Sequence, residues 1–222
     1  MSQITDPIDG GDPIHAVEPQ TRKIPRGDRR RDQIAIVAEA AFLERGYAET
    51  TMAAIAALAE ASKETLYRHF GTKAELFAEV VRRRCARYLN ADDALRGPPR
   101  EALAGLAVEF VEFLGRPDSL RLYRLVVAES AREPELGRIF FDQGPGRLVA
   151  RLADYLREAA RRGELDCPDP HGSAWLFLGA LISYPQASAL LLGAPLPGGE
   201  PRRHARAAVE MFLAGHGAPR DG

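Results

Sequence analysis

From Asp28 onward the apolar positions recur at helical spacing. Ile34, Val37, Ala38, Ala41 and Phe42 stand at i, i+3, i+4, i+7 and i+8, one stripe on a helix and hence one buried face. Gly46 ends this first helix as a C′ residue, and Tyr47 supplies an apolar contact just past the turn. Thr50 or Thr51 is placed to cap a second helix over residues 52–59, with Ile55 and Leu58 turned inward. Ser62 is placed to cap a third over residues 63–70, in which Leu66 and Phe70 form an i, i+4 apolar pair. Gly71 closes it. Thr72 and Glu75 then have the spacing of a capping box. They open a fourth helix that carries Leu76, Phe77, Val80 and Val81 and is expected to reach about residue 95.

The Pro/Gly cluster at residues 96–100 reads as a firm break and a domain boundary. Beyond it, helical patterns cover residues 100–114, 119–132, 134–141, 146–162, 171–192 and 201–214. No stretch alternates like a strand, so the expected fold class is all-α, with about nine to ten helices. Residues 28–96 are expected to form a three-helix helix-turn-helix domain with a connecting helix, and residues 97–222 a larger helical domain. Residues 1–27 lack periodicity and hold Pro7, Pro13, Pro19 and Pro25. They are expected to be a disordered leader ending in a basic arm.

The formal net charge of -1 points to no partner, but its distribution does. Asp6, Asp9, Asp12 and Glu18 precede a block of Arg22, Lys23, Arg26, Arg29, Arg30 and Arg31. Such a local block can engage a polyanion even on a neutral protein. Two cysteines, Cys85 and Cys167, make no disulfide framework. The acidic N-terminus has no apolar core of a signal peptide, and a cytoplasmic location is expected. Cys167, Asp169 and His171 gather in a Pro-rich loop rather than at ligand spacing, so no metal is expected. No nucleophile elbow, phosphate-binding glycine loop or HExxH motif occurs, so neither a cofactor nor an enzymatic activity is expected. Cys85 follows Arg82, Arg83 and Arg84, whose charge would favour a reactive thiolate, whereas burial would make the thiol inert.

Two short helices joined by about three residues, after a longer one, have the form of a helix-turn-helix. At ~100° per residue, Leu66 and Phe70 fall on one side of the third helix. Thr65, Arg68 and His69 fall roughly opposite, with Lys63 and Tyr67 flanking the apolar seam. This mix of donors, acceptors and bulk suits base edges and phosphates in a major groove.

The stretch FLERGYAETTMAAIAALAEASKETLYRHFGTKAELF, residues 42–77, closely resembles the DNA-binding segment of the TetR/AcrR (tetracycline-repressor-like) family of bacterial transcription regulators. The resemblance rests on Phe42, Gly46, Tyr47, Thr51, Ile55 and Ala56. It continues through Ser62, Lys63, Thr65, Leu66, Tyr67, His69, Phe70, Lys73 and Leu76. It implies that Thr51 caps the second helix and touches phosphate. Lys63, Thr65, Tyr67, Arg68 and His69 would lie in or beside the major groove of a double-stranded operator. Lys73 would meet phosphate at the positive end of the fourth helix, and Arg26, Arg29, Arg30 and Arg31 would add phosphate or minor-groove contacts. Two positions depart from the family's pattern. Glu60 and Ala61 replace the usual Gly-Val of the turn, and Ala53 replaces a longer polar residue. A positive φ at Glu60 would mark strain there.

The same resemblance implies a homodimer whose seam lies on the last two long helices, with Trp175, Leu178, Leu181 and Ile182 as interface candidates. A core helix of a monomer is the alternative reading of residues 172–193, and a membrane span a further one, but Ser183, Pro185, Gln186 and Ser188 interrupt that run, and Pro185 is expected to kink or split the helix. The middle helices would enclose a small, largely apolar effector. Phe110, Phe113, Leu114, Tyr123, Val127, Phe140, Phe141 and Phe177 are the candidate liners, and Glu129 and Arg132 the polar groups. The expected function is a dimeric one-component transcriptional regulator, a repressor released from a palindromic operator by its effector. The alternative is a helical interaction protein that has lost specific DNA binding, for which Glu60 and Ala53 speak.

Overall fold

A computed structural model of the chain describes residues 26–89, 95–193 and 200–217. Among the described residues there are ten helices and no strand: α1 (Arg26–Arg45), α2 (Met52–Leu58), α3 (Lys63–His69), α4 (Lys73–Leu89), α5 (Pro99–Leu114), α6 (Pro117–Glu129), α7 (Pro134–Gln143), α8 (Pro145–Arg161), α9 (Pro170–Leu192) and α10 (Glu200–His216). The expected leader lies outside the described residues except for residues 26 and 27, which already belong to α1. The expected extension of the fourth helix past residue 89 lies outside them too.

Prolines read as breaks turn out to be helix starts. Pro99, Pro117, Pro134, Pro145 and Pro170 each open a helix. A first-turn N–H has no intrahelical acceptor, so the ring removes nothing there, and its fixed φ is already helical. Treating these prolines as part of the preceding loop is what places four of the predicted starts slightly late. Pro185 is interior, yet α9 runs through it without the expected split.

Two hydrophobic cores organise the helices. The first joins Ile34, Ala38 and Phe42 of α1, Ile55 and Ala56 of α2, Leu66 of α3 and Leu76, Phe77, Val80 and Val81 of α4. It is completed by Leu122 and Val126 of α6 and Leu136 of α7. The rings of Phe42, Tyr47 and Phe77 meet at its centre, with centroids 5.4 to 5.7 Å apart. The second core unites α5, α8, α9 and α10 through residues such as Leu103, Leu152, Phe177, Leu178, Leu181 and Phe212. Cys85 packs against both. By length and composition α9 could cross a membrane; in this fold its Ala174, Phe177, Leu178 and Leu181 are built into the second core. Leu58, expected inward, is exposed. The inward set of α2 and its cap is Met52, Ile55, Ala56 and Ala59, spaced i, i+3, i+4, i+7, and that phase turns Leu58 out.

Glu60 has φ 50°, the one positive value on a non-glycine residue among those described. The α2–α3 turn therefore keeps the left-handed form that suits glycine, at a cost of roughly 1–2 kcal/mol. Arg30 braces it from α1: Nη2 donates to Ala59 O (3.0 Å) and Glu60 O (2.7 Å). Both acceptors are backbone atoms, so the brace survives a change of side chain. Glu60→Gly is expected to raise stability by about 0.5–1 kcal/mol, the strain relieved less the chain entropy that glycine adds. Urea melts of the two proteins check this; a loss of stability would show that the Glu60 conformation is unstrained.

Candidate nucleic-acid interface and effector cavity

Helix α3 has seven residues, too few to persist alone in water. Its start is held by Ser62, whose Oγ accepts from Thr65 N at 3.1 Å. Its inner side is held by Leu66 and Phe70, both essentially inaccessible. Its end is held by Arg31 of α1. That guanidinium donates to His69 O (3.0 Å), lies 4.5 Å from the Phe70 ring centre and pairs with Glu79 of α4 at 2.9 Å. Glu79 is buried and also pairs with Arg82. Burial pushes its pKa up, but the hydrogen bonds and charges of Arg31 and Arg82 outweigh that and hold it below the usual carboxylate value. Thr72 Oγ1 accepts from Glu75 N (3.0 Å), while the Glu75 carboxylate accepts from Gly71 N (3.0 Å). The capping box thus reaches back one residue further than its usual form.

The outward side of α3 presents Lys63, Tyr67 and Arg68, with Tyr67 52% exposed. Thr65 and His69 are half-buried. Thr65 Oγ1 takes the hydroxyl hydrogen bond of Ser62. Burial, then Arg68, Arg31 and Arg30, lower the His69 pKa, which keeps the ring neutral near pH 7. Thr51 caps α2, accepting from Ala54 N at 3.1 Å, and stays exposed, as does Arg29. The Arg26 side chain lies outside the described residues.

Three cations expected at phosphates serve the protein's own backbone instead. Arg30 and Arg31 are committed as described. Lys73 Nζ donates to Tyr47 O (2.8 Å) and Ala48 O (3.4 Å) and sits 4.2 Å from the Tyr47 ring centre. The turn after α1 leaves those carbonyls without helical partners; Lys73 adds a charged donor to Tyr47 O, which also accepts from Thr50 N at 3.3 Å, and reaches Ala48 O. Glu129, expected in the effector cavity, works on the same turn. Its carboxylate accepts from Tyr47 N (2.6 Å) and Ala48 N (2.8 Å). Gly46 makes this approach possible: its φ is 85°, and a Cβ there would stand 2.8 Å from Glu129 Oε1.

A cavity of about 350 Å³ opens among α4 to α9. Phe110, Phe113, Tyr123, Val127 and Phe140 line it, with Leu114 and Phe141. Phe177 does not. It is buried in the second core, edge-on to Phe212 with centroids 5.1 Å apart. Arg132 is exposed and is not in the lining. The four interface candidates also move. Trp175 and Ile182 line the cavity, where Trp175 stacks on Phe141 at 5.2 Å, and Leu178 and Leu181 are buried within their own chain. A helix that is apolar almost all round carries no phase information, so sequence could not say which side faces out. Sequence reasoning also missed Arg84, Ser119 and Gln186 in the lining. Arg84 pairs with Glu39 and Asp118. Burial pushes the Cys85 thiol up to about 11, against the pull of Arg84 and Arg147, so this thiol is protonated at neutral pH and not activated.

Residues 35–80 match the family described as bacterial regulatory proteins, tetR family, and residues 101–218 match the AefR-like transcriptional repressor, C-terminal domain. The chain belongs to the TetR family of transcriptional regulators. A TetR-family regulator from Mesorhizobium loti MAFF303099 is similar in structure, with TM-score 0.75 and 33% identity over 88% of this chain and 100% of that one. The flavonoid-responsive regulator FrrA is similar at TM-score 0.71 and 30% identity, over 87% and 99%. Among curated proteins, the HTH-type transcriptional activator FasR of Mycolicibacterium smegmatis is 44% identical over 61 residues, 28% of this chain and only 27% of FasR. This TetR-family protein is therefore a transcriptional regulator with a helix-turn-helix DNA-binding domain, from a family that is not enzymatic.

Because the Glu79 pKa is depressed by folding, its contribution to stability is fully present above the unfolded value of about 4.3 and is lost as pH falls through the lower folded value. Glu79→Gln is expected to cost about 1–3 kcal/mol at pH 7, with the gap to wild type closing below pH 4. Urea melts across pH 3–7 check the sign; a gap that stays constant over that range would contradict it.

Proposed function

We propose that this regulator is a cytoplasmic homodimer that represses transcription, and that a small apolar effector in the α4–α9 cavity releases it from DNA. The observation that carries the DNA reading is the two-sidedness of α3. Leu66 is completely buried while Arg68 stands exposed opposite it and Lys63 and Tyr67 stand exposed on its flanks. In a dimer, two such helices about 34–36 Å apart would enter successive major grooves of a palindrome. Thr51 and Arg29 then reach flanking phosphates, with Thr65 and His69 beside the bases. Residues 28–96 act as the DNA-binding unit and residues 97–222 as the effector-binding and dimerisation unit.

The dimer seam we assign to the exposed side of α9. Leu176, Gly179, Ser183, Ala187 and Leu191 are all exposed and recur at i, i+3, i+7, i+11 and i+15. That is one helical stripe, in which Gly179 and Ala187 permit close approach. Tyr184, which flanks this stripe, is a further exposed apolar side chain of α9. A surface of this kind on a soluble protein marks an interaction site. Repression is supported by the AefR-like repressor match, and a small-molecule effector by the relative named for its flavonoid response. The effector would prefer a conformer with α4 and α6 displaced, which changes the spacing of the two α3 helices. Complete release needs about 5.5 kcal/mol of differential affinity.

Anisotropy titration with DNA flanking the protein's own gene tests the reading. Specific, salt-sensitive binding is expected. Tyr67→Ala should weaken it about 10-fold or more, and Lys63→Ala should lower the salt slope by about one, both with unchanged melting temperature. Absence of specific binding at any such DNA, or loss of stability in place of affinity, would contradict the proposal. Leu176→Glu is expected to give monomers in sedimentation velocity. A dimer of undiminished affinity would remove α9 from the seam.

A further inference from the structure

Among the fully buried polar side-chain atoms of the described residues, Ser119 Oγ alone lacks a hydrogen-bond partner. Ser119 lines the cavity in the first turn of α6. The residue is 9% exposed, and its Oγ is buried with no partner among the described residues. Unpaired buried hydroxyls are destabilising and rare in native proteins. Tyr123, Trp175 and Gln186 also line the cavity but are only half-buried, so water can serve their polar atoms. Ser130 Oγ donates to Val127 O at 3.5 Å. Arg84 is the one charged side chain in the lining, and its guanidinium is already neutralised by Glu39 and Asp118. Around these groups the walls are aromatic, including the stacked pair Phe141 and Trp175.

We infer that the effector is an uncharged, ring-containing molecule bearing a hydrogen-bonding oxygen or nitrogen, and that Ser119 is the residue that anchors this polar group. The inference rests on the reading of the cavity as the effector site. A carboxylate would meet an Arg84 guanidinium whose charge Glu39 and Asp118 already balance. An ammonium group would find no carboxylate in the lining. The protonated Cys85 thiol adds no charge to either account. Rings suit the aromatic walls, and about 350 Å³ lies at the small end of ligand cavities.

Three probes of one shape separate the possibilities: 4-cyclohexylphenol, cyclohexylbenzene and 4-cyclohexylbenzoate. Calorimetry gives their affinities, and quenching of Trp175, the chain's single tryptophan, reports whether they enter the cavity. The phenol is expected to quench Trp175 and to bind about 10-fold tighter than either of the others. Ser119→Ala should bring the phenol to the level of the hydrocarbon, leave the hydrocarbon unchanged and raise the melting temperature of the ligand-free protein. Equal binding of phenol and hydrocarbon, a phenol affinity indifferent to Ser119→Ala, or a lower melting temperature would overturn the Ser119 assignment while leaving the cavity reading in place. Tightest binding by the benzoate would overturn the uncharged class. Failure of all three to bind, or binding without quenching, would overturn the cavity reading itself.

Discussion

A seven-residue helix cannot hold its own shape in water, and the proposed DNA-reading surface of this regulator is such a helix. Everything that fixes α3 is external to it. Leu66 and Phe70 anchor its inner side in the first core. Arg31 ties its last carbonyl to α1 and, through Glu79, to α4. Ser62 and the Thr72/Glu75 pair close its two ends. Because its supports come from α1 and α4, its outer residues carry none of the folding load and are available for a partner. The strained Glu60 turn fits the same scheme, since Arg30 holds it from α1.

That dependence continues into the rest of the chain. Leu122 and Val126 of α6 belong to the core beneath the reading helix and also line the cavity. One turn further on, Glu129 grips the two amides after Gly46. Helix α4 is shared in the same way, with Val81 in the first core and Arg84 and Cys85 in the cavity wall. Packed interiors are not continuously deformable. A ligand that moves α6 or α4 therefore moves a wall of the DNA-binding unit directly, and no separate relay is needed.

What sequence could read was whatever a single helix determines about itself. Amphipathic period and caps placed α1 to α4 and the inward set of α1 because each element's own residues specify its buried side. Starts on proline were legible in principle, since a proline at N1 is favoured for a stated reason. The assignments that moved concern side chains whose partners lie far along the chain. Lys73, Arg30 and Glu129 look like surface charges until the carbonyls and amides they satisfy, 25 or more residues away, are seen. Leu178 and Leu181 could not be told from Leu176, because α9 is apolar on nearly every side. Ser119 has no signal of its own, and only the cavity around it makes it notable.

Helix α3 is folded by a core that reaches into α6 and α7, so the cavity and the proposed reading surface share one core. Leu136 tests this most directly, since it lies in α7, is fully buried in the first core and is absent from the cavity lining. Leu136→Ala should remove about 2–5 kcal/mol of packing. Amide hydrogen exchange of the mutant, read residue by residue, is the measurement. Protection is expected to fall at Leu66 of α3 and at its C-cap Phe70 as strongly as at Ile139 and Phe140 in α7. Faster exchange confined to α7, with α2 and α3 unchanged, would contradict it and show a DNA-binding unit that stands on its own.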